Sequence, residues 1–283
     1  MRIAEIDLIQ QDESGLYFSL VKKILSEFPQ LPEMYEEIAI LVADTQHYQN
    51  GRANAAISKF LGLSGQNRIY TKRNCTPAHC ISHGKKGCLQ IVVDLFRPLA
   101  PWKQAFVVRH ECCHLLRDPR HSPALQRLSE KYPQDWLESL VGYRRDYQVH
   151  LCMIEKYLHD WIREPLGISE DVMSPRSFYR HERKAKGARH AILIGIANSV
   201  NVLRIIYLHE HLLSKSQIPH AVRKHSEQDL ERYNGYLDSW WYCLQKDIEG
   251  PLSPPREMLS REHFGDEEAF LGRISQLLAT AGI

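Results

Sequence analysis

The spacing of apolar residues divides the chain into a helical N-terminal segment, a short β-rich stretch and a long helical remainder. Between Gly15 and Phe28 apolar residues recur every three or four positions, as on the buried face of an amphipathic helix. Two short apolar runs, 68–72 and 88–95, predict strands. Similar helical patterns predict further helices at 32–47, 54–63, 101–117, 134–160, 187–213, 223–248 and 256–280.

The order of these elements predicts an α+β fold, in which a small sheet lies beside one helix and a large, mainly helical part follows. Proline, glycine, serine and basic residues accumulate between 165 and 186, which predicts a boundary there. We therefore expect a first domain at 1–165 and a helical C-terminal region at 166–283. The alternative is that both regions pack as one unit.

The residues with the clearest chemical meaning lie early in the long helical part. His110, Glu111 and His114 form a His-Glu-x-x-His motif, and residues four apart lie one above the other on a helix face. Both imidazoles can therefore reach one metal ion, and Glu111 is placed to take a proton from a water molecule at that ion. Apolar residues on both sides, at Phe106–Val108 and Leu115, indicate a largely buried helix. Burying such polar groups without a purpose is costly, so metal binding is favoured over two structural histidines.

This motif resembles the signature of the zincin metallopeptidases, in a gluzincin-like or minigluzincin-like form. The resemblance covers about residues 50–160, where a helix, two strands and the motif-bearing helix follow in the zincin order. It implies one catalytic zinc ion bound by His110 and His114, and hydrolysis of peptide bonds in a peptide or protein substrate with Glu111 as the general base. The alternative is a catalytically silent binding or regulatory protein that keeps the zincin fold.

A catalytic zinc ion usually has a third protein ligand, and the sequence offers several. The metzincin pattern requires glycine and histidine where this chain has Arg117 and Arg120. In the gluzincin pattern the ligand is an acid on a later helix, which favours Asp146 here, although gluzincins use glutamate. The remaining candidates are Glu138, His150 and His121.

Two residues close to Asp146 in sequence, Tyr147 and His150, are candidates for stabilising the oxygen that becomes negative during hydrolysis. Tyr143 is an alternative for the same role. Because His150 follows Asp146 by one helical turn, it can also orient that carboxylate.

The cysteine pattern favours a reducing compartment. Seven cysteines, an odd number, suit thiols better than a disulfide framework. Met1–Asp7 carries charges where a signal peptide would need an apolar run, and Ala191–Leu203 is too short and too polar to span a bilayer. We therefore expect a cytoplasmic protein without a membrane partner. Cys75, Cys80 and Cys88 could bind a second, structural zinc ion. This interpretation is weaker than that of a polar loop between two strands, because the segment contains no Cys-x-x-Cys pair.

Composition and charge narrow the function classes only slightly. A 43% hydrophobic and 25% charged chain is typical of globular proteins. The net charge of +2 gives no excess of cations, so a nucleic-acid partner is not expected. The basic run Arg180–Lys186 is interpreted as a solvated helix face or linker.

Overall fold

The computed structural model describes residues 1–11, 13–63, 76–116, 123–163, 175–248 and 251–283. These residues are mostly helical and contain one mixed four-stranded sheet, which confirms the predicted α+β class with a large helical part. The chain divides into two compact units. The first comprises Met1–Pro119 with Tyr157–Trp161, and the second comprises Arg120–Lys156 with Ile162–Ile283.

The sheet belongs to the first unit. Its strands are β1 Arg2–Asp7, β2 Glu37–Ala43, β3 Ala78–His83 and β4 Lys86–Val92. Their spatial order is β1-β2-β4-β3, in which β1, β2 and β4 are parallel and β3 is antiparallel to β4 at one edge. Gly84 lies in the turn from β3 to β4 with φ +57°, a conformation that glycine adopts without steric cost.

The central strand β2 shows that the helix predicted at 32–47 is wrong. Its residues form a continuous apolar run, and every side chain from Ile38 to Ala43 is buried. A strand between two parallel neighbours is covered on both faces and therefore shows no alternation of apolar and polar residues. Such a run cannot be distinguished from a buried helix by its pattern alone.

The segment before β4 is also a strand, although no strand was predicted between 72 and 88. β3 pairs with β4 from Ala78, opposite Ile91, to His83, opposite Lys86. Most of its side chains are only half-buried because it is an edge strand, so its polar composition is tolerated. The strand predicted at 68–72 lies outside the described residues. The other edge strand, β1, is largely exposed and has no counterpart among the predicted elements.

Helices fill the rest of the described chain. A 3₁₀ helix at Arg261–Gly265 precedes the last α-helix. Numbered along the chain, the α-helices are α1 Ser14–Leu25, α2 Leu31–Met34, α3 Thr45–Gln49, α4 Arg52–Leu61, α5 Val93–Phe96, α6 Pro101–Leu115, α7 Pro123–Ser129, α8 Gln134–Lys156, α9 Leu158–Trp161, α10 Pro175–Lys186, α11 Ala188–Leu213, α12 His220–Asp247, α13 Pro255–Met258 and α14 Glu267–Thr280.

In the first unit, helices pack against the sheet and position the motif. Ala53, Ile57 and Leu61 of α4 form one apolar cluster with Leu41 of β2 and Cys88 of β4. Helix α6 packs mainly against the edge strand β3, and it is also in contact with α1 and α9. The His-Glu-x-x-His motif is therefore carried by a helix next to the sheet, in the order predicted from the sequence.

The second unit is organised around α11, which packs against α8, α10 and α12. By length and composition alone α11 could cross a membrane, and 78% of its most apolar window is buried inside the protein. The apolar part of α11 is thus longer than the run at Ala191–Leu203, on which the expectation of no membrane span was based. A helix that is apolar all round is also what the core of a large helical unit requires.

The helices predicted after residue 134 lie close to their predicted positions, but two of them are broken. The helix predicted at 256–280 is divided into α13, a 3₁₀ helix and α14, and α10 lies in the segment 165–186 where a boundary was predicted. The helix predicted at 134–160 consists of α8 and α9, which are separated at Tyr157. This break is also where the chain passes from the second unit to the first, so α8 belongs to the second unit although the predicted domain boundary was at 165.

Candidate metal centre

Helix α6 carries the motif; its first turn is set by local sequence and its last turn by contacts with distant residues. Pro101 lies in the first turn, where its missing N–H group costs no hydrogen bond. The helix ends at Leu115, whose main-chain oxygen accepts a buried hydrogen bond from the Tyr35 hydroxyl at 2.8 Å. The chain of β4 passes close by at Gly87, where an added Cβ would lie 3.3 Å from the Leu115 side chain. The end of the helix is therefore held against the sheet.

The residue before the motif, Arg109, ties α6 to two other segments of the first unit. Its Nε and Nη2 donate to the two carboxylate oxygens of Glu27 at 2.9 and 3.0 Å, and its Nη1 donates to Asp160 at 2.7 Å. The guanidinium also lies over the Tyr157 ring, 4.7 Å from its centroid. The hydrogen bond from Arg109 holds the pKa of Glu27 below its usual value, against the effect of burial. This paired arginine fixes the rotation of α6 one residue before His110.

The motif side chains converge as the spacing predicts. The rings of His110 and His114 meet edge to face, with centroids 4.8 Å apart. One potential ligand atom from each of His110, Glu111 and His114 lies within 4.8 Å of the other two, and all three side chains are half-buried. Within the described part of the chain, this is the one group of three or more such residues with this geometry. The arrangement offers two imidazole nitrogens and one carboxylate oxygen to a common point.

The carboxylate of Glu111 is held ionised by its neighbours. Burial alone would raise the pKa of Glu111. The hydrogen bond from His110 and the positive charge available on His110, His114 and His79 together outweigh burial, so the pKa lies below its usual value. The distance from His110 Nδ1 to Glu111 Oε1 is 3.3 Å. Glu111 is therefore a proton acceptor at neutral pH rather than a donor.

A thiol on the edge strand also faces this carboxylate. The Cys80 side chain is a close neighbour of the Glu111 carboxylate. Burial, the Glu111 charge and the neighbouring Cys112 raise the pKa of Cys80 well above its usual value. Cys80 is therefore a neutral thiol beside Glu111. Cys112 is itself fully buried, and burial also raises its pKa.

His79, next to Cys80 on β3, is a neighbour of the motif that was not among the predicted site residues. Burial lowers its pKa, while the Glu111 charge and the neighbouring Gln90 act in the opposite direction. Gln90 lies opposite His79 in the β3–β4 register and accepts a hydrogen bond from the Tyr48 hydroxyl at 2.9 Å. In the sequence, His79 is visible only as a residue of the segment before the apolar strand predicted at 88–95. The β3–β4 register that places His79 near the motif is not visible in the sequence.

Comparison with known proteins does not identify this centre. No family model, curated protein or solved structure matches this chain. The resemblance to zincins therefore stays a prediction from the motif.

The remaining predicted site residues near Asp146 belong to the second unit, on α8. Asp146 accepts a hydrogen bond from Arg204 at 2.9 Å, and this guanidinium also lies over the Tyr143 ring, 5.6 Å from its centroid. Tyr147 is buried and packs against Phe264, 5.1 Å between ring centroids. Asp146 is thus part of an ion pair within its own unit, and its assignment as the third ligand stays a prediction.

The alternative candidates for the third ligand are Glu138, His150 and His121. Glu138 is exposed and accepts a hydrogen bond from Gln134 at 2.8 Å. His150 is half-buried on α8. His121 lies outside the described residues. Among these candidates, Asp146 is the acid whose position is fixed by a charged partner.

The cysteines proposed for a second ion are separated by the sheet. Cys75 lies outside the described residues. Cys80 lies opposite Leu89, and Cys88 lies opposite Ile81. Because directly paired residues point to the same face and successive residues to opposite faces, Cys80 and Cys88 project from opposite sides of the sheet. Cys88 lies in the apolar cluster with α4, where burial raises its pKa to about 12.

Proposed function

We propose that this chain is a zinc-dependent metallopeptidase whose active site is built on α6. The observation that carries the proposal is the convergence of ligand atoms from His110, Glu111 and His114 within 4.8 Å on one helix. Imidazole nitrogen is a preferred zinc donor, and two imidazoles at this spacing with a carboxylate beside them fit a catalytic site better than a closed structural one. The donor set therefore suits the ion that the motif implies.

Each residue has a separate role in this proposal. His110 and His114 bind the ion through one ring nitrogen each. Zinc, when bound, lowers the pKa of a water molecule and polarises a carbonyl group. The Glu111 carboxylate accepts a proton from the attacking water and returns it to the amine nitrogen that leaves. The neutral Cys80 thiol lies beside this carboxylate and adds no second negative charge to the site.

The position of the edge strand supports a peptide as substrate. β3 has one strand neighbour in the described sheet, β4, and it packs against the helix that carries the motif. An extended peptide can add to such an edge through main-chain hydrogen bonds, which are independent of side-chain identity. In this proposal the enzyme acts on extended segments of peptides or proteins in the cytoplasm.

The experiment that tests this proposal combines metal analysis with a cleavage assay. The purified full chain is loaded with zinc, its metal content is measured, and a peptide library is analysed by mass spectrometry after incubation. We expect about one zinc ion per chain and cleavage of peptide bonds. Glu111→Gln should retain zinc and lose cleavage by a factor of about 10²–10⁴, the usual contribution of a general base. Glu36→Gln, at an exposed position of the same unit, is the matched control.

Two results would redirect the interpretation. Zinc binding without cleavage of any peptide would favour the catalytically silent binding protein. Cleavage by Glu111→Gln at the wild-type rate would remove Glu111 from the mechanism and with it the proposed assignment.

The proposed third ligand is Asp146, and it is tested separately. Zinc affinity is compared among the full-length variants Asp146→Asn, Glu138→Gln and His150→Ala. A selective loss in Asp146→Asn would support the gluzincin-like arrangement. A loss in one of the other two variants instead would transfer the ligand role to that residue.

A further inference from the structure

The helical unit contains a cavity that the proposed hydrolysis does not use. It has a volume of about 660 Å³, within the range of small-molecule sites. Its walls come from α7, the segment after α7, the first turn of α11, and α14. All of these elements belong to the second unit, so the cavity is a feature of that unit alone.

The lining of the cavity is polar and apolar in nearly equal parts and includes small side chains. Leu128 and Leu271 are buried, so the accessible apolar surface comes mainly from the half-buried Tyr132 and Ile283. Gly272, Ser275 and Ala279 recur along one face of α14, and their small side chains leave space on that side of the cavity. An added Cβ at Gly272 would have no atom within 4 Å, so the space beside this residue is open.

The lining also contains three cations, Arg127, Lys131 and Arg189, all with exposed side chains. Arg127 has one long ion pair, 3.9 Å to Glu268. Within the described ranges, neither Lys131 nor Arg189 has a side-chain hydrogen bond or ion pair. Tyr132 uses its hydroxyl to donate to the main-chain oxygen of Ile283 at 2.7 Å. The cavity therefore combines a partly apolar lining with an excess of positive charge.

We propose that this cavity binds a small amphipathic anion, with a carboxylate or phosphate head group at the three cations and an apolar portion against Tyr132 and Ile283. A neutral apolar molecule would gain nothing from the three cations, and an inorganic anion would leave the apolar part of the lining in contact with water. Charge-assisted hydrogen bonds to arginine and lysine are about twice as strong as neutral ones, so the head group supplies the specificity.

Calorimetric titration of the full chain tests the proposal with two probes, octanoate and hexyl phosphate. Octan-1-ol is the uncharged counterpart of octanoate. We expect at least one anionic probe to bind and the alcohol to bind at least about tenfold more weakly. Failure of both anions to bind, or equal binding of octanoate and the alcohol, would overturn the proposal.

A cavity-filling variant locates the site without removing a charge. Gly272→Leu places a side chain in the open space, and replacing glycine in a helix interior favours the helix by up to about 1 kcal/mol, so this variant should fold. Gly235→Leu, on α12 and also with no atom near its Cβ position, is the matched control outside the cavity. We expect Gly272→Leu to abolish probe binding and Gly235→Leu to leave it unchanged. Equal binding by the two variants would place the probe elsewhere and refute the proposal.

Removing one cation tests the head-group position. Arg189→Gln should weaken binding of the anionic probe about tenfold and leave the weak binding of octan-1-ol unchanged. Arg180→Gln removes an exposed arginine of α10 that does not line the cavity, and it should have no effect. The same loss in both variants would show a general charge effect and contradict the assigned site.

Discussion

Two clusters of histidine and glutamate lie on helices of this chain, and their side chains behave differently. On α6, His110, Glu111 and His114 direct their polar atoms to a common point. On α11, His209, Glu210 and His211 are adjacent in sequence and diverge. Residues three or four apart share a helix face, whereas consecutive residues do not.

The second cluster shows where diverging side chains go. His209 is buried and packs near Tyr233, with ring centroids 5.7 Å apart. Glu210 accepts hydrogen bonds from Arg256 and Arg261 at 2.6 and 2.9 Å. His211 lies 2.6 Å from Glu155. Three neighbouring residues therefore serve three separate structural contacts, and composition alone would not distinguish them from a metal site.

The largest expected difference between the clusters is in metal affinity. His110→Ala removes one of the two proposed imidazole ligands, so zinc affinity should fall by more than about 100-fold, the upper end of the effect of losing an outer-shell partner. His211→Ala should leave the affinity unchanged. Competition with a chromophoric chelator measures both constants. Equal affinities in the two variants would show that the convergence on α6 has no role in zinc binding.

The next effect concerns the arginine beside the first cluster. Arg109→Ala leaves Glu27 and Asp160 without their cation, and all three side chains are 19–28% exposed. Breaking a fully buried pair costs about 3–5 kcal/mol, so we expect about 2–3 kcal/mol for this partly buried network. Hydrogen exchange of the β2 and β4 amides measures the stability of the first unit. Protection as strong as in the wild type would contradict the anchoring role of Arg109.

A smaller effect is expected from the pH dependence of Glu27. Its hydrogen bond from Arg109 places the folded-state pKa below the ordinary value of 4.5. The resulting stabilisation, about 1.5 kcal/mol for a hydrogen bond to a charged group, is complete above pH 4.5 and is lost as the pH falls through the lowered folded-state pKa.

The variant Glu27→Gln measures this contribution. The difference in hydrogen-exchange protection between the wild type and the variant should be constant near neutral pH and should shrink on acidification. A difference that grows as the pH falls would reverse the sign of the proposed linkage.

The smallest effect is expected beside the second cluster. Arg261→Ala removes a side chain that is 46% exposed, and Glu210 keeps its other partner, Arg256. The free energy of unfolding should change by less than about 1 kcal/mol, as for most exposed ion pairs. Urea unfolding followed by circular dichroism checks this, and a loss as large as that for Arg109→Ala would remove the contrast between the clusters.

The parts of the structure that were predictable depend on local periodicity. α6 and the convergence of His110 with His114 follow from helix geometry once a helix is expected there. The long helices of the second unit follow from apolar spacing in the same way. By contrast, β2 is apolar from Ile38 to Ala43, and its place inside the sheet, rather than its sequence pattern, makes it a strand.

The surroundings of the motif were less predictable because they depend on pairing between distant segments. His79 and Cys80 come close to Glu111 because β3 pairs with β4 and packs against α6. The bond from Tyr35 to Leu115 joins residues 80 positions apart. No periodicity within either segment encodes such contacts, whereas the ion pair of Asp146 with Arg204 needs the packing of α8 against α11.

The parallel pairing of β1, β2 and β4 has a consequence for the order of events during synthesis. Parallel strands can pair only after the long segment that connects them has been synthesised. Proteins rich in such non-local contacts fold slowly. The first unit also requires α9, because Asp160 on this helix completes the partners of Arg109. The ribosome must therefore have released the chain as far as α9 before the first unit can fold completely. During that interval the apolar strand β2 is unprotected, so it is the segment of the nascent chain on which a chaperone would act first.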